Sequence, residues 1–468
     1  MITNKLIAIV MAFMVTLSFS SCEDWIDVNE NPNSPTKVPT KSLVPAAQVR
    51  FTTLVGGSMN RRGMFWTQAI APSYSQYFKE DRYQFLPTDG DAIWGDFYEG
   101  ALIDIETVIK NGEAEERPNY VAMGKILKAH VFSVITDSWG DIPFSDAVKG
   151  GEVLAPTYDA QETIYPAIIA LLDEGLSGLQ EGGETFGSSD LYYGGDIELW
   201  RKYANSLKLR LYMRMTEVNE ATAKQGLSAI INSPMISSNE ESLKLDYSSS
   251  PTNENPLWGW HASGSRRGDF SASTTIVNLL NSLNDPRLTA YFQPNTEDGF
   301  TEIKGTPNGN DVLYPDGYSI MNSKLIDDPT APVYLLTYAE VEFLKAEAAQ
   351  RFGIGTDAQA HYENGVRAAF AQYDVSGSDD YLSSSANFAS ASDKLTAIYQ
   401  QKYLALFNQG VELWAEWRRT GYPNITPVSN GFIGGIPLRY PYPQSELDRN
   451  PTNVPNIADV LTPVWWDK

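Results

Sequence analysis

The sequence predicts a mainly α protein in which a helical scaffold carries long irregular loops, and three observations point there. Apolar residues recur at helical spacing in several separated segments. One expected helical hairpin has small residues along its seam, and Gly, Pro, Asn and Ser crowd two long stretches, residues 237–273 and 294–332. A 3.6-residue period buries one face of a helix, whereas long stretches without a period are usually working surface or disorder.

In chain order, residues 120–135 read as a helix stopped by Trp139-Gly140-Asp141 and Pro143, since Gly and Pro punctuate helices. Asp159 followed by Glu162 reads as a capping-box start for a helix through Ile164, Ile168, Leu171 and Leu172. From Asp196 to about Val218, Trp200, Ala204, Leu207 and Leu211 fall at i, i+4, i+7 and i+11, one amphipathic stripe. Ala346, Ala349, Ala358, Tyr362 and Gly365 have the spacing of a tetratricopeptide unit, with small residues where two antiparallel helices meet. Phe352-Gly353 would end its first helix, and Thr356 or Asp357 would cap the second. Any helical hairpin with a small-residue seam has the same pattern. One unit cannot bury its own face, so further helical pairs should stack on it.

The 468 residues are 42% hydrophobic and 20% charged, a globular composition. A net charge of −23 and a pI near 4.5 argue against nucleic acid, whose phosphates need a basic face. The first residues carry Lys5, then an uncharged apolar run over residues 6–21, and then the only cysteine, Cys22. The run is shorter than the roughly 20 apolar residues a membrane span needs. It ends in Ser18, Ser20 and Ser21, so it reads as a secretory leader, residues 1–21, that is cleaved. With no second Cys to form a disulfide, Cys22 is the candidate lipid-attachment residue, and residues 22–468 are expected to form a single domain. Phe19 departs from the Leu usual in such leaders. Two or three acyl chains would make a stable anchor at about 0.8 kcal/mol per buried CH₂.

Several segments, spread over nearly the whole length, resemble the SusD/RagB family, surface lipoproteins of Bacteroidota. They are residues 27–33 (DVNENPN), 137–144 (DSWGDIPF), 285–288 (DPRL), 335–349 (LLTYAEVEFLKAEAA), 398–423 (IYQQKYLALFNQGVELWAEWRRTGYP), 436–453 (IPLRYPYPQSELDRNPTN) and Trp465-Trp466-Asp467. The resemblance implies four tetratricopeptide-like helical pairs packed against a loop-rich, irregular half that carries the ligand surface. It also implies a SusC-like TonB-dependent outer-membrane transporter as partner. Glu23 and Asp24, directly after Cys22, resemble the family's surface-export signal and favour the outer leaflet facing the medium.

The 11 Trp and 25 Tyr supply candidate sugar platforms, because a flat ring can cover the apolar face of a pyranose. Two groups in or beside loops stand out: Tyr74, Tyr77, Phe78, Tyr83 and Trp94; and Trp258, Trp260, Arg266 and Arg267. Each ring has core or loop packing as its competing role. Glu412, Trp414, Trp417, Arg418 and Arg419 form a dense patch that reads first as helix-end packing. Asp27, Asn29 and Asn31 imitate a calcium loop, but Pro32 stands where Gly is needed, so turn chemistry explains them. Asp89 and Asp91 are similarly weak, and neither a metal site nor a cofactor is expected. His130, His261 and His361 are isolated, and no HExxH, GxSxG, phosphate-loop or dinucleotide motif occurs. The expectation is therefore non-catalytic capture of oligosaccharide. Capture of peptide, a surface-anchored glycoside hydrolase using an unseen carboxylate pair, and a repeat-protein adaptor remain as alternatives.

Overall fold

A computed structural model describes residues 38–250, 253–261, 269–295, 299–313 and 317–467. Cys22 and the 27–33 segment lie outside these. Helices dominate. The Asp196 carboxylate accepts from Leu199 N at 3.0 Å and starts the helix Ile197–Arg214, whose stripe Trp200, Ala204, Leu207 and Leu211 is buried throughout. That helix lies against Gln161–Gly178 on one side and Glu220–Ile230 on the other. Gln161–Gly178 in turn packs on Pro118–Trp139, and this on Leu102–Ala114. A close approach is at Gly175, where a Cβ would come within 2.6 Å of Ile126 and 3.0 Å of the Ala122 carbonyl. Gly140, at φ 86°, ends Pro118–Trp139 in a conformation that penalises any side chain.

The expected capping box does not form. Asp159 instead pairs its backbone with Ile142, and its carboxylate accepts from Phe144 N (3.1 Å) and Ser145 N (2.7 Å). The orphan N–H of Gln161 goes to Asp141, 2.8 Å away. A loop-closing bond won over the local cap because the chain returns to Asp159 after a long excursion that needs its own anchor.

The second helical stack is Tyr338–Phe352 against Ala358–Gln372 and Lys394–Ala405. Gly353, left-handed at φ 64°, stops the first helix, and Asp357 caps the second by accepting from Gln359 N at 2.9 Å. Ala346 and Tyr362 are buried in the seam, and a Cβ on Gly365 would meet the Phe343 ring at 2.9 Å. Lys394–Ala405 leads into Gly410–Thr420, which lies on Asn60–Trp66. The helical pairs of the predicted fold class are therefore present. No helix among the described residues is long and apolar enough to cross a membrane.

The interior between the stacks holds charge. Arg210 makes a two-pronged pair with Glu340 (2.7 and 2.7 Å). Arg214 bridges Asp137 (2.9 Å) and Glu412 (2.5 Å), and Arg419 clasps Glu347 and Glu416. Arg418 lies between the Trp414 and Trp466 rings, 3.6 and 4.6 Å from their centroids, and donates to the carbonyls of Asp137 and Leu438. Burial pushes its guanidinium down to about 10. The aromatic and charged patch at Glu412–Arg419 is thus the packing element the sequence suggested. Buried charges are tolerated only when so paired.

The irregular half is organised by small sheets. Strands β1 (Ile70–Pro72), β3 (Phe270–Ala272), β4 (Phe292–Pro294) and β5 (Ser319–Met321) form one antiparallel sheet in the order β1-β3-β5-β4, with Ile70 opposite Ala272 and Phe292 opposite Met321. Strands β2 (Leu243–Leu245) and β6 (Val333–Leu336) pair separately and lead into the second helical stack.

Candidate ligand-binding surface

Beyond β1 the chain turns through Ser75–Tyr77 into the short helix Phe78–Asp81. Here the first group of candidate rings is placed, and most of it faces inward. Tyr77 packs on Phe65 and Phe270 at centroid distances of 6.2 and 5.1 Å, with Arg61 over its face at 4.8 Å. Phe78 is buried, and so is Tyr83, whose hydroxyl accepts from Val428 N at 3.0 Å. Burial pushes that phenol up to about 12. Trp94 lies away from these, against Tyr98 (4.6 Å) and Trp139 (5.3 Å), and lines a separate cleft of about 540 Å³ with Lys149, Glu446 and Arg449. Tyr74 is half-buried.

In the second group, Trp258 is half-buried on the helix Pro256–His261. Arg266, Arg267 and the side chain of Trp260 lie outside the described residues. Among the described residues, the candidate rings are therefore not gathered into one platform. Tyr77, Phe78 and Tyr83 are covered by protein, and Trp94, though buried, borders the separate cleft.

What the buried rings and their neighbours do is hold two loops. Asp81 is wholly buried; its carboxylate accepts from Asn308 Nδ2 and from Gly309 N, both at 2.5 Å. Burial outweighs those two bonds and the Arg82 charge, lifting the carboxyl to about 7. Asn308 also donates to the Ile70 carbonyl and accepts from Ser273 Oγ. On the other loop, Gln68 Nε2 donates to the Thr426 carbonyl (2.9 Å), the Tyr83 hydroxyl accepts from Val428 N, and Phe432 N donates to the Arg82 carbonyl (2.8 Å). Asn430 Nδ2 joins the loops by donating to the Gly309 carbonyl at 2.8 Å.

The loops present an outward face. Phe432, Val312 and Leu313 are each about half exposed, at 52%, 55% and 52%. The Arg82 guanidinium lies 5.3 Å from the Phe432 centroid and 3.9 Å from Asp311. A free ring beside a paired cation and carboxylate can cover the C–H face of a sugar while donating to and accepting from its hydroxyls. Phe432, Arg82 and Asp311 were missed from sequence. The available signal was a lone ring amid Asn430, Gly431, Gly434 and Gly435, a composition too flexible to bury it.

The histidines are accounted for differently. His130 is buried edge-on to Phe51 and bonds the Tyr203 hydroxyl at 2.7 Å; burial, then Arg210, holds it well below the usual range and neutral. His361 sits between Glu342 and Thr356. The side chain of His261 lies outside the described residues.

Stacked helical pairs bearing a loop-borne surface with an exposed ring define a helical-scaffold binding protein. A family model described as starch-binding, associating with outer membrane (SusD-like), matches residues 32–443, and the chain belongs to this SusD-like family. No curated protein matches it in sequence. Among solved structures, a chitin-binding protein is 27% identical with a TM-score of 0.79, over 90% of this chain and 99% of that one. A chitin-binding SusD homologue from Flavobacterium johnsoniae is 26% identical, with a TM-score of 0.78 over 91% and 98%. A SusD homologue from Bacteroides vulgatus is 27% identical, with a TM-score of 0.77 over 87% and 91%.

Proposed function

We propose that the chain is a non-catalytic lipoprotein, acylated at Cys22 on the outer face of an outer membrane. In this reading it captures oligosaccharide and passes it to a SusC-like TonB-dependent transporter. The observation that carries the glycan reading is the Phe432 surface: an exposed ring, aliphatic neighbours and the Arg82–Asp311 pair, held on a pinned loop. The family description names starch, and two similar structures are of chitin-binding proteins, which supports a polysaccharide cargo. Half-buried Tyr74 and Trp258, together with Trp260, Arg266 and Arg267, remain candidates to extend the surface.

The test is calorimetry on the chain from Glu23 onward, titrated with maltoheptaose, chitohexaose and a mixed peptide digest. Phe432→Ala is expected to weaken glycan binding by about tenfold, since a stacked ring contributes on the order of 0.5–1.5 kcal/mol beyond the area it buries. Binding of peptide alone would replace the glycan reading. Release of new reducing ends from polysaccharide would replace the non-catalytic one. Incorporation of labelled palmitate by the wild type, lost in Cys22→Ala, tests the anchor; co-purification with a barrel transporter tests the partner.

A further inference from the structure

A second cleft, of about 740 Å³ and sharing no residue with the Phe432 surface, lies between residues 286–290 ahead of β4, residues 322–334 beyond β5 and the C-terminal end of the helix Ala358–Gln372. Its volume falls within the roughly 300–1,000 Å³ of small-molecule sites. Two rings stand in it, Tyr334 of β6 and Tyr373. Tyr373 is fixed: its hydroxyl donates to the Phe407 carbonyl at 2.7 Å, and its ring meets Tyr291 edge-on at 4.9 Å. Tyr334 is half-buried, and its hydroxyl makes no hydrogen bond among the described residues. Burial, Asp246 and Asp374 push that phenol upward, so it stays a neutral donor.

Gln372 supplies the second, independent sign. Its Oε1 and Nε2 are both shielded from solvent, and although the amide lies near the Tyr373 phenol, neither atom completes a hydrogen bond. A shielded primary amide with two unused positions is costly, and turning that amide into the cleft would let a ligand satisfy both. An adjacent donor and acceptor match the adjacent hydroxyls of a sugar. The charges in the cleft, Lys324 against Asp328 and Asp374, leave a slight negative excess that disfavours anionic ligands.

We propose that this cleft is a second carbohydrate site, specific for neutral oligosaccharide, in which Tyr334 and Gln372 hold the sugar and Tyr373 forms a rigid wall. The proposal rests on the glycan reading above and adds a separate place for the ligand.

The test is calorimetry of the same chain with maltoheptaose and with chitohexaose, comparing wild type, Phe432→Ala, Gln372→Ala and Tyr334→Phe. Two binding events are expected in the wild type, one of them surviving Phe432→Ala. Gln372→Ala and Tyr334→Phe should each weaken that survivor by about tenfold, the scale of one lost hydrogen-bonded contact. Neither change removes a bond on which the described fold depends, so loss of folding is not the expected confounder. A single event abolished by Phe432→Ala would overturn the second site while leaving the capture reading intact. No binding of either glycan to wild type would overturn both.

Discussion

Asp81 gives the most quantitative test of how the binding loops are held. Its carboxyl is wholly buried and lifted from 3.8 to about 7. Because the folded value lies above the unfolded one, the folded state keeps the proton that the unfolded state gives up. Stability from this group is full below about pH 4 and is lost as pH rises toward 7. The shift of about three units, at about 1.4 kcal/mol each, corresponds to about 4 kcal/mol. Asp81→Asn keeps an acceptor for Gly309 N but has no proton to lose, and its clash with the Asn308 amide is a pH-independent offset. The stability difference between the two proteins should therefore move by about 4 kcal/mol in the variant's favour between about pH 4 and pH 8. With an unfolding entropy of about 2.1 cal/mol/K per residue, that is a relative Tm shift of about 4 °C for a chain of this size. Differential scanning calorimetry on both proteins across the range reads it directly. A Tm difference that does not change with pH would refute the account of Asp81 as a buried, proton-holding latch.

Two scaffold predictions follow from close packing and buried charge. Gly410→Ala would place a methyl inside the van der Waals shell of the Asn60 carbonyl, a backbone atom held by the helix Asn60–Trp66; urea denaturation should show a loss of at least about 1–3 kcal/mol. Glu347→Ala would remove one of the two carboxylates that hold buried Arg419, whose bonds to Glu347 are 2.7 and 2.6 Å, leaving it to Glu416 alone, and would weaken the hold on Arg351. A loss of about 3–5 kcal/mol is expected, and an unchanged urea midpoint would show the cluster to be energetically idle.

The helices were legible because their signal is local and repeated. The stripe from Trp200 to Leu211 and the small-residue seam each needed only a period; the stripe is buried throughout, as are Ala346, Tyr362 and Gly365 of the seam, while Ala349 and Ala358 are half-buried. The cap at Asp159 was misjudged because the competing partner, the 144–145 backbone, lies outside any local window. The rings were harder for the same reason. Nothing local distinguishes Tyr83, which is buried under Val428, from Phe432, which is free; burial is decided by which distant segment arrives. Aromatic residues in polar loops turned out to be anchors for those loops. The displayed ring came from the stretch with the least capacity to cover it.

That division suggests how a fixed architecture can present different binding faces. The loops are pinned largely through backbone atoms: Asp81 to Gly309 N, Tyr83 to Val428 N, Gln68 to the Thr426 carbonyl, Asn308 to the Ile70 carbonyl and Asn430 to the Gly309 carbonyl. Such bonds do not depend on the identity of the side chain displayed at the pinned residue. Phe432, Val312 and Leu313, which make up the outward face, can therefore be exchanged without loosening the loops, whereas Asp81 or Asn308 cannot. The scaffold sets the anchors themselves, since Tyr403 of the Lys394–Ala405 helix donates to the Thr67 carbonyl directly before Gln68. The buried Arg–carboxylate cluster ties that helix's neighbours together from positions far apart in sequence. Charge inside the scaffold is costly in itself, and pairing across distant positions would hold the helices in one register and with them the position of the exposed ring.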